Sequence, residues 1–272
     1  MKDIQKLHRE VLYPVVRVRA NNAGGSGTVL FSDKDEKGNV RSFILTNQHV
    51  IAGLVNIANV WDSRIGKEVK KDVRSTAEVQ FFKYNNWSRC IGCVSVEADI
   101  VAYEKEEDLA LLELRDTENV VQYIANIIKE NTVKNIHIFE DIYAAGATLG
   151  HPPFATHGEI QFMDDEIENK KYWLGTSLIS FGNSGGGVFR LGESNNFEFI
   201  GVPSRVQLQG FGDVANWMGY FIPASRVFEF LKKNNYDFIF DSSLNIDECD
   251  KKRKESIEKE RDKVEKKEGV VQ

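Results

Sequence analysis

A serine that attacks a carbonyl must stand on a tight turn, with backbone N–H groups aimed at the oxygen that becomes negative. Gly182-Asn183-Ser184-Gly185-Gly186 has that character. Glycine on both sides lets the chain turn sharply and lets a substrate approach the backbone. The oxyanion-binding stretch is therefore Gly182, Asn183 and Ser184, with the N–H groups of Gly182 and Ser184 as the expected donors. Alone, the motif also reads as a glycine-rich hairpin with an incidental serine.

Such a serine needs a base. His49 ends Thr46-Asn47-Gln48-His49, where an apolar strand runs into a loop. His8 falls in an N-terminal amphipathic stretch, His137 in a strand pattern, and His151 and His157 flank Pro152-Pro153. Of these only His151 rivals His49. Asp108 precedes the apolar run Leu109-Ala110-Leu111-Leu112, and a carboxylate there can hold an imidazole in one tautomer and stabilise its cation. Asp99, ahead of Ile100-Val101-Ala102, competes for that role. The order His, Asp, Ser is that of chymotrypsin-like enzymes and differs from those of subtilisin and the α/β-hydrolases.

Many short apolar runs, separated by glycine and polar turns, must position these groups. They predict strands at 15–19, 27–31, 42–46, 78–84, 92–103 and 109–114 in one half. The second half predicts them at 136–139, 143–149, 159–163, 172–177, 187–190, 197–202 and 218–222. Helical spacing of Ile4, Leu7 and Val11 predicts an N-terminal helix over 1–12. Val120, Ile124, Ile127 and Ile128 predict a linker helix over 117–135, between a first unit (13–116) and a second (136–235). Residues 236–272 read as a charged tail, a solvated fraying helix or disorder, removable after about Asp241.

A net charge of −6 disfavours nucleic acid as the main partner, since phosphate binding relies on a basic face. Only three cysteines argue against a disulfide framework and fit a reducing compartment. Cys90 and Cys93 have metal or redox spacing but lack a complementary pair, so they read as free thiols with no metal or cofactor. No apolar run reaches the ~20 residues of a membrane span, and no secretory apolar region appears near the start. The expectation is a cytoplasmic protein that acts on protein or peptide substrates, away from membranes. Oligomeric state is not legible.

Several motifs, in order, resemble the trypsin-like serine peptidases of the HtrA (DegP) type. They are Gly25-Ser26-Gly27-Thr28-Val29, Thr46-Asn47-Gln48-His49-Val50, Glu107-Asp108-Leu109-Ala110-Leu111-Leu112, Gly150-His151-Pro152, Gly182-Asn183-Ser184-Gly185-Gly186 and Gly219-Tyr220-Phe221-Ile222-Pro223. The resemblance implies an all-β fold of two six-stranded antiparallel barrels with a cleft between them. It implies a serine endopeptidase working through an acyl-enzyme, with His49, Asp108 and Ser184 as its triad. The alternative is a scaffold module that keeps the fold without peptidase activity. The residues after 232 are too few for the PDZ domain that usually follows in that family. Asn183 stands where digestive relatives carry an aspartate that pairs with a newly cut N-terminus, so that switch is not expected. By the same resemblance the primary specificity pocket falls to Leu178, Ile179, Ser204 and Arg205. Leu178 takes the place of an acid that would bind Lys or Arg, so small to medium apolar residues are expected there. Arg205 is expected to face solvent.

Overall fold

The computed structural model describes residues 3–21, 23–62, 66–87, 89–209 and 213–269. The chain starts with a helical turn, α1 (Ile4–Leu7), that runs on as a π-turn over His8–Leu12. The first barrel follows, from β1 (Val15–Ala20), β2 (Ala23–Lys34) and β3 (Val40–Thr46). A helical turn, α2 (Gln48–Ile51), leads to a two-stranded ribbon of β4 (Val55–Asp62) and β5 (Lys67–Arg74). Then come β6 (Ala77–Asn85), β7 (Arg89–Glu104) and β8 (Leu109–Leu114), which close a barrel in the order β1-β2-β3-β8-β7-β6. The second barrel comprises β9 (Asp141–Gly146), β10 (Phe154–Ile167), β11 (Lys170–Gly175), β12 (Gly187–Leu191), β13 (Phe197–Gln209) and β14 (Asp213–Pro223). Its closed order is β10-β11-β14-β13-β12-β9, and its strands pair antiparallel throughout the described residues. Two helices follow, α3 (Ala224–Lys233) and α4 (Ile246–Gly269).

Alternation along β8 shows how one strand serves two cores. Side chains of neighbouring residues point to opposite faces. Ala110 and Leu112 fill the first barrel beside Ile44 and Val79. Leu109 and Leu111 face out and join Phe43, Phe199, Val227 and Phe230 in a cluster that bonds the two barrels and α3. Both faces of β8 are therefore dry, which is why Leu109 to Leu112 read as a continuous apolar run. Inside the second barrel, Ile142, Ile160, Val188, Ile200 and Phe221 form a third cluster.

Three expected elements differ. The linker is not an α-helix. Asp116 accepts bonds from the N–H groups of Glu118 and Asn119, and the chain then runs between the barrels. Its amides bond outward: Val121 to Ser32 Oγ, Ala125 to Val29 O and Ile128 to Phe199 O. Those partners satisfy the backbone as well as a helix would, and only Glu130–Asn135 winds into a 3₁₀ turn. The strand expected over 136–139 is likewise absent; β9 begins at Asp141. The tail is a helix whose first turns dock. Ile246 and Cys249 are buried, Arg41 donates to Asp250 at 2.9 Å, and the Arg253 guanidinium lies 3.9 Å from the Tyr236 ring centre. No helix among the described residues is long and apolar enough to cross a membrane.

Candidate active site

His49 sits in α2, at the end of β3. Its Nδ1 lies 2.9 Å from Asp108 Oδ1 and 3.0 Å from Oδ2, and its backbone N–H donates to Oδ1 at 3.1 Å. The carboxylate thus fixes both the ring and the turn that carries it. Asn47, fully buried, donates its amide to Asp108 O at 2.8 Å and ties the two motifs together again.

Asp108 ends the turn between β7 and β8 with a φ of +53°, in the left-handed region. Such a residue needs bracing. Neighbouring Glu107 supplies it: its side chain accepts from Lys170 and from Arg226 Nε at 2.9 Å, and its carbonyl accepts from Arg226 at 3.1 Å. Glu107 is thus a tether to the second barrel and α3, not a solvated acid. Burial alone would raise the pKa of Asp108, but the bonds and charge of His49 and the bond from Ser204 outweigh it and hold the carboxyl below its ordinary value. Asp99, the rival acid, is exposed and clasped by Arg115 at 2.8 and 3.1 Å. His157 binds Asp141, and His151 is exposed on the turn after β9.

Ser184 is half-buried on the turn between Phe181 and Gly187. Its carbonyl accepts from Ser26 N–H at 2.7 Å, and the next amide, Gly185 N–H, donates to Pro203 O at 3.1 Å. Gly185 has φ +84°, and a Cβ there would stand 2.3 Å from Thr46 Oγ1 and 3.0 Å from Asn47 N. The serine turn therefore presses on the residues just before His49, and only glycine fits. Ser204, one residue after Pro203, donates to Asp108 Oδ2 at 2.7 Å. These contacts hold His49 on Asp108 and set the Ser184 turn against the residues just before His49 and against the strand that carries Ser204.

Leu149 N–H donates to Phe181 O at 2.8 Å, and no peptide bond among the described residues is cis. In a trans peptide the N–H points opposite to the C=O, so Gly182 N–H is aimed away from Leu149. The next peptide is also pinned: Ser26 Oγ donates to Gly182 O at 2.6 Å and accepts from Ala147 N–H at 2.7 Å. Asn183 N–H consequently points at Ser180 O, at 3.1 Å, and Asn183 contributes no donor to an oxyanion. Its side chain is buried instead, with Oδ1 accepting from Thr148 Oγ1 at 2.6 Å and from Ser180 N–H at 3.3 Å.

The four residues assigned to the specificity pocket scatter. Leu178 is half-exposed, and its carbonyl takes a bond from Thr156. Ile179 is buried in the core of the second barrel, where a Cβ on Gly219 would meet its Cδ1 at 2.4 Å. Ser204 serves Asp108. Arg205 lies over the Tyr172 ring and pairs with Glu168 at 2.7 Å. The roles of Ser26, Thr148 and Ser204 were not legible as chemistry. Only the glycine-flanked setting of Ser26 offered a signal.

The family model for the trypsin-like peptidase domain matches residues 25–201, well over half of the chain and all three candidate catalytic residues. The chain belongs to the trypsin-like peptidase domain family. Among solved structures, it is similar to the HtrA-type protease AlgW with tripeptide, with TM-score 0.60 and 17% identity over 89% of this chain and 65% of that one. A serine endoprotease from Yersinia pestis gives TM-score 0.56 and 19% identity over 86% and 66%. The MamO protease domain from Magnetospirillum magneticum gives TM-score 0.56 and 16% identity over 82% and 98%. The chain thus spans about two thirds of the length of the first two and nearly all of the third. At these identities the likeness is one of fold. No curated protein matches the chain in sequence.

Proposed function

We propose that this chain is a serine endopeptidase that hydrolyses peptide bonds through an acyl-enzyme, with His49, Asp108 and Ser184 as its triad. The observation that carries the reading is the double hold of Asp108 on His49, at ring and backbone. With Nδ1–H donated to Asp108, Nε2 is free to take the proton of Ser184 Oγ. The oxygen then attacks the scissile carbonyl. Gly182 N–H and Ser184 N–H receive the negative charge of the tetrahedral intermediate, a preorganised stabilisation that costs no rearrangement during reaction. The imidazolium returns its proton to the leaving amine, and water, activated by the same histidine, clears the acyl group. Asp108, held ionised, steadies the imidazolium.

Substrates are proteins or peptides with a small to medium apolar residue before the scissile bond. Ile179 fills the space beside Gly219, and Arg205 is engaged by Glu168. No acid takes the Leu178 position, and burying an unpaired Lys or Arg would cost several kcal/mol. The proposed division of the chain is an N-terminal segment 1–12 that holds the helical turn Ile4–Leu7, barrels within 13–116 and 136–235, an extended linker over 117–135 and a docked helix within 236–272. Peptide-library profiling tests the specificity: cleavage after Val, Ala, Leu or Ile is expected, and cleavage mainly after Lys or Arg would overturn the pocket assignment.

A further inference from the structure

Asp108 holds a left-handed φ of +53°, which a residue other than glycine keeps only where its surroundings impose it. The direction of its Cβ, and so of its carboxylate, is set by how its Cα sits between two rigid peptide planes. Both planes are pinned from outside. The plane ahead of Asp108 is gripped at each end. Its N–H donates to Lys105 O at 3.2 Å, and its carbonyl, Glu107 O, accepts from Arg226 Nη2 at 3.1 Å. The plane after Asp108 is held at its carbonyl by the Asn47 amide at 2.8 Å. Lys105 and Asn47 belong to the first barrel. Arg226 does not: it stands in the first turn of α3, just past the last strand of the second barrel.

This grip depends on the shape of the guanidinium. Arg226 Nε donates to Glu107 Oε2 at 2.9 Å and Nη1 to Lys171 O at 3.1 Å, while Nη2 takes Glu107 O. The side chain is buried, and its guanidinium lies 4.9 Å from the ring centre of the buried Tyr172. Three acceptors and an aromatic ring together fix the plane of the fork. A lysine ammonium concentrates its donors on one nitrogen and cannot span what the fork reaches from three.

We infer that Arg226 is a positioning residue: by fixing the Glu107 carbonyl it locks Asp108 in the conformation that presents its carboxylate to His49. The inference rests on the proposed triad. The ion pair with the Glu107 carboxylate supplies stability, and the bond to the Glu107 carbonyl supplies geometry. Lys170 separates the two roles, because it donates to the same carboxylate and not to the carbonyl.

The test compares Arg226→Lys and Arg226→Met with Lys170→Met in the full chain, by two readouts. The first is the tautomer of the neutral His49 ring, read from its ¹⁵N shifts, with His49→Ala assigning the signals. A ring held by Asp108 carries its proton on Nδ1, whether or not the chain cleaves peptides. The second is kcat and KM on a peptide substrate. Both Arg226 variants should show a mixture of Nδ1–H and Nε2–H tautomers. They should lower kcat roughly 10- to 100-fold, as small misplacements of a catalytic group do, with KM within about twofold. Lys170→Met should keep the Nδ1–H tautomer and a kcat within about twofold of native. If Arg226→Met does not fold, Arg226→Lys, which keeps the charge and the apolar stem, decides. An Arg226→Lys chain with the native tautomer, or with no greater loss of kcat than Lys170→Met, would overturn the inference. So would a native chain whose His49 is protonated on Nε2. A native chain with the Nδ1–H tautomer and no peptidase activity would contradict the proposed function instead, and the tautomer comparison would still decide the role of Arg226.

Discussion

Asp108 holds His49 at both its ring and its backbone, while Ser204 and Ser26 brace the proposed triad from distant parts of the chain. His49, Asp108 and Ser184 each sit where a strand gives way to a turn, and such local patterns are readable. Ser204 on Asp108 and Ser26 on Gly182 join residues far apart in the chain, and no local pattern announces a hydrogen bond of that kind. Two acids, Asp99 and Asp108, looked alike in sequence; Asp108 meets His49 and Ser204, whereas Asp99 meets Arg115. Asp108→Asn should lower kcat by roughly 10⁴-fold by stabilising the wrong tautomer of His49, while Asp99→Asn should leave it unchanged; equal effects in peptide hydrolysis would reverse the assignment. Ser204→Ala removes one hydrogen bond to a charged group, worth about 1.5–3 kcal/mol, and should lower kcat about tenfold or more with little change in KM. Acid stability follows from the same carboxyl. Its pKa is depressed in the folded state, so its stabilising contribution is present above the unfolded value of ~3.9 and is lost as pH falls through the lowered folded value. Urea unfolding should therefore show a smaller loss of stability below about pH 4 in Asp108→Asn than in the native chain. Parallel profiles would contradict this.

At the scale of elements, most barrel strands were legible, whereas the β4–β5 ribbon and the connections were not. Apolar runs bounded by glycine located the barrels, because a strand's period and punctuation are local. The linker failed because Val120, Ile124, Ile127 and Ile128 suit a helix, while tertiary partners on β2 and β13 took its amides. The tail failed for the opposite reason: its composition is that of a solvated segment, and a few residues at its start decide that it docks. Truncation after Asp241 should thus be costly. It removes Ile246, Cys249 and the stacking of Arg253 on Tyr236, which together are worth about 3 kcal/mol. A chain cut after Ser256 should keep nearly full stability. Thermal unfolding of the two truncations checks this, and equal melting temperatures would show that the docked turns contribute nothing. The turn after β9 is the element that braces the proposed oxyanion site, through Leu149 N–H on Phe181 O and the Thr148 hydroxyl on Asn183. Thr148→Val keeps the shape and removes one bond of about 1 kcal/mol. Acylation should slow by roughly fivefold to tenfold while the fold is kept; an unchanged acylation rate would show that the turn does not govern the site.

At the scale of the whole molecule, one apolar cluster runs through both barrels and α3, from Phe43 and Leu111 to Phe199 and Phe230. The barrels are thus fixed against each other, and the site between them is set by packing as much as by its own bonds. This was foreseeable in outline, since β8 and β3 are apolar on both faces and must be covered twice. The order of the strands around each barrel was not, because pairing between distant segments leaves no local trace. Asn183 makes the same point. Its neutral side chain gave no reason to expect a paired N-terminus, and its buried bond to Thr148 came only from the fold. With Phe181 O turned toward Leu149 and Gly182 N–H aimed away from it, the proposed enzyme should react without an activating cleavage. Labelling of the intact chain with a fluorophosphonate probe tests this most directly. The account predicts near-stoichiometric modification of Ser184 in the uncut protein, abolished by Ser184→Ala and strongly slowed by His49→Ala. An uncut, folded chain that takes up no probe, or takes it up at another residue, would contradict it.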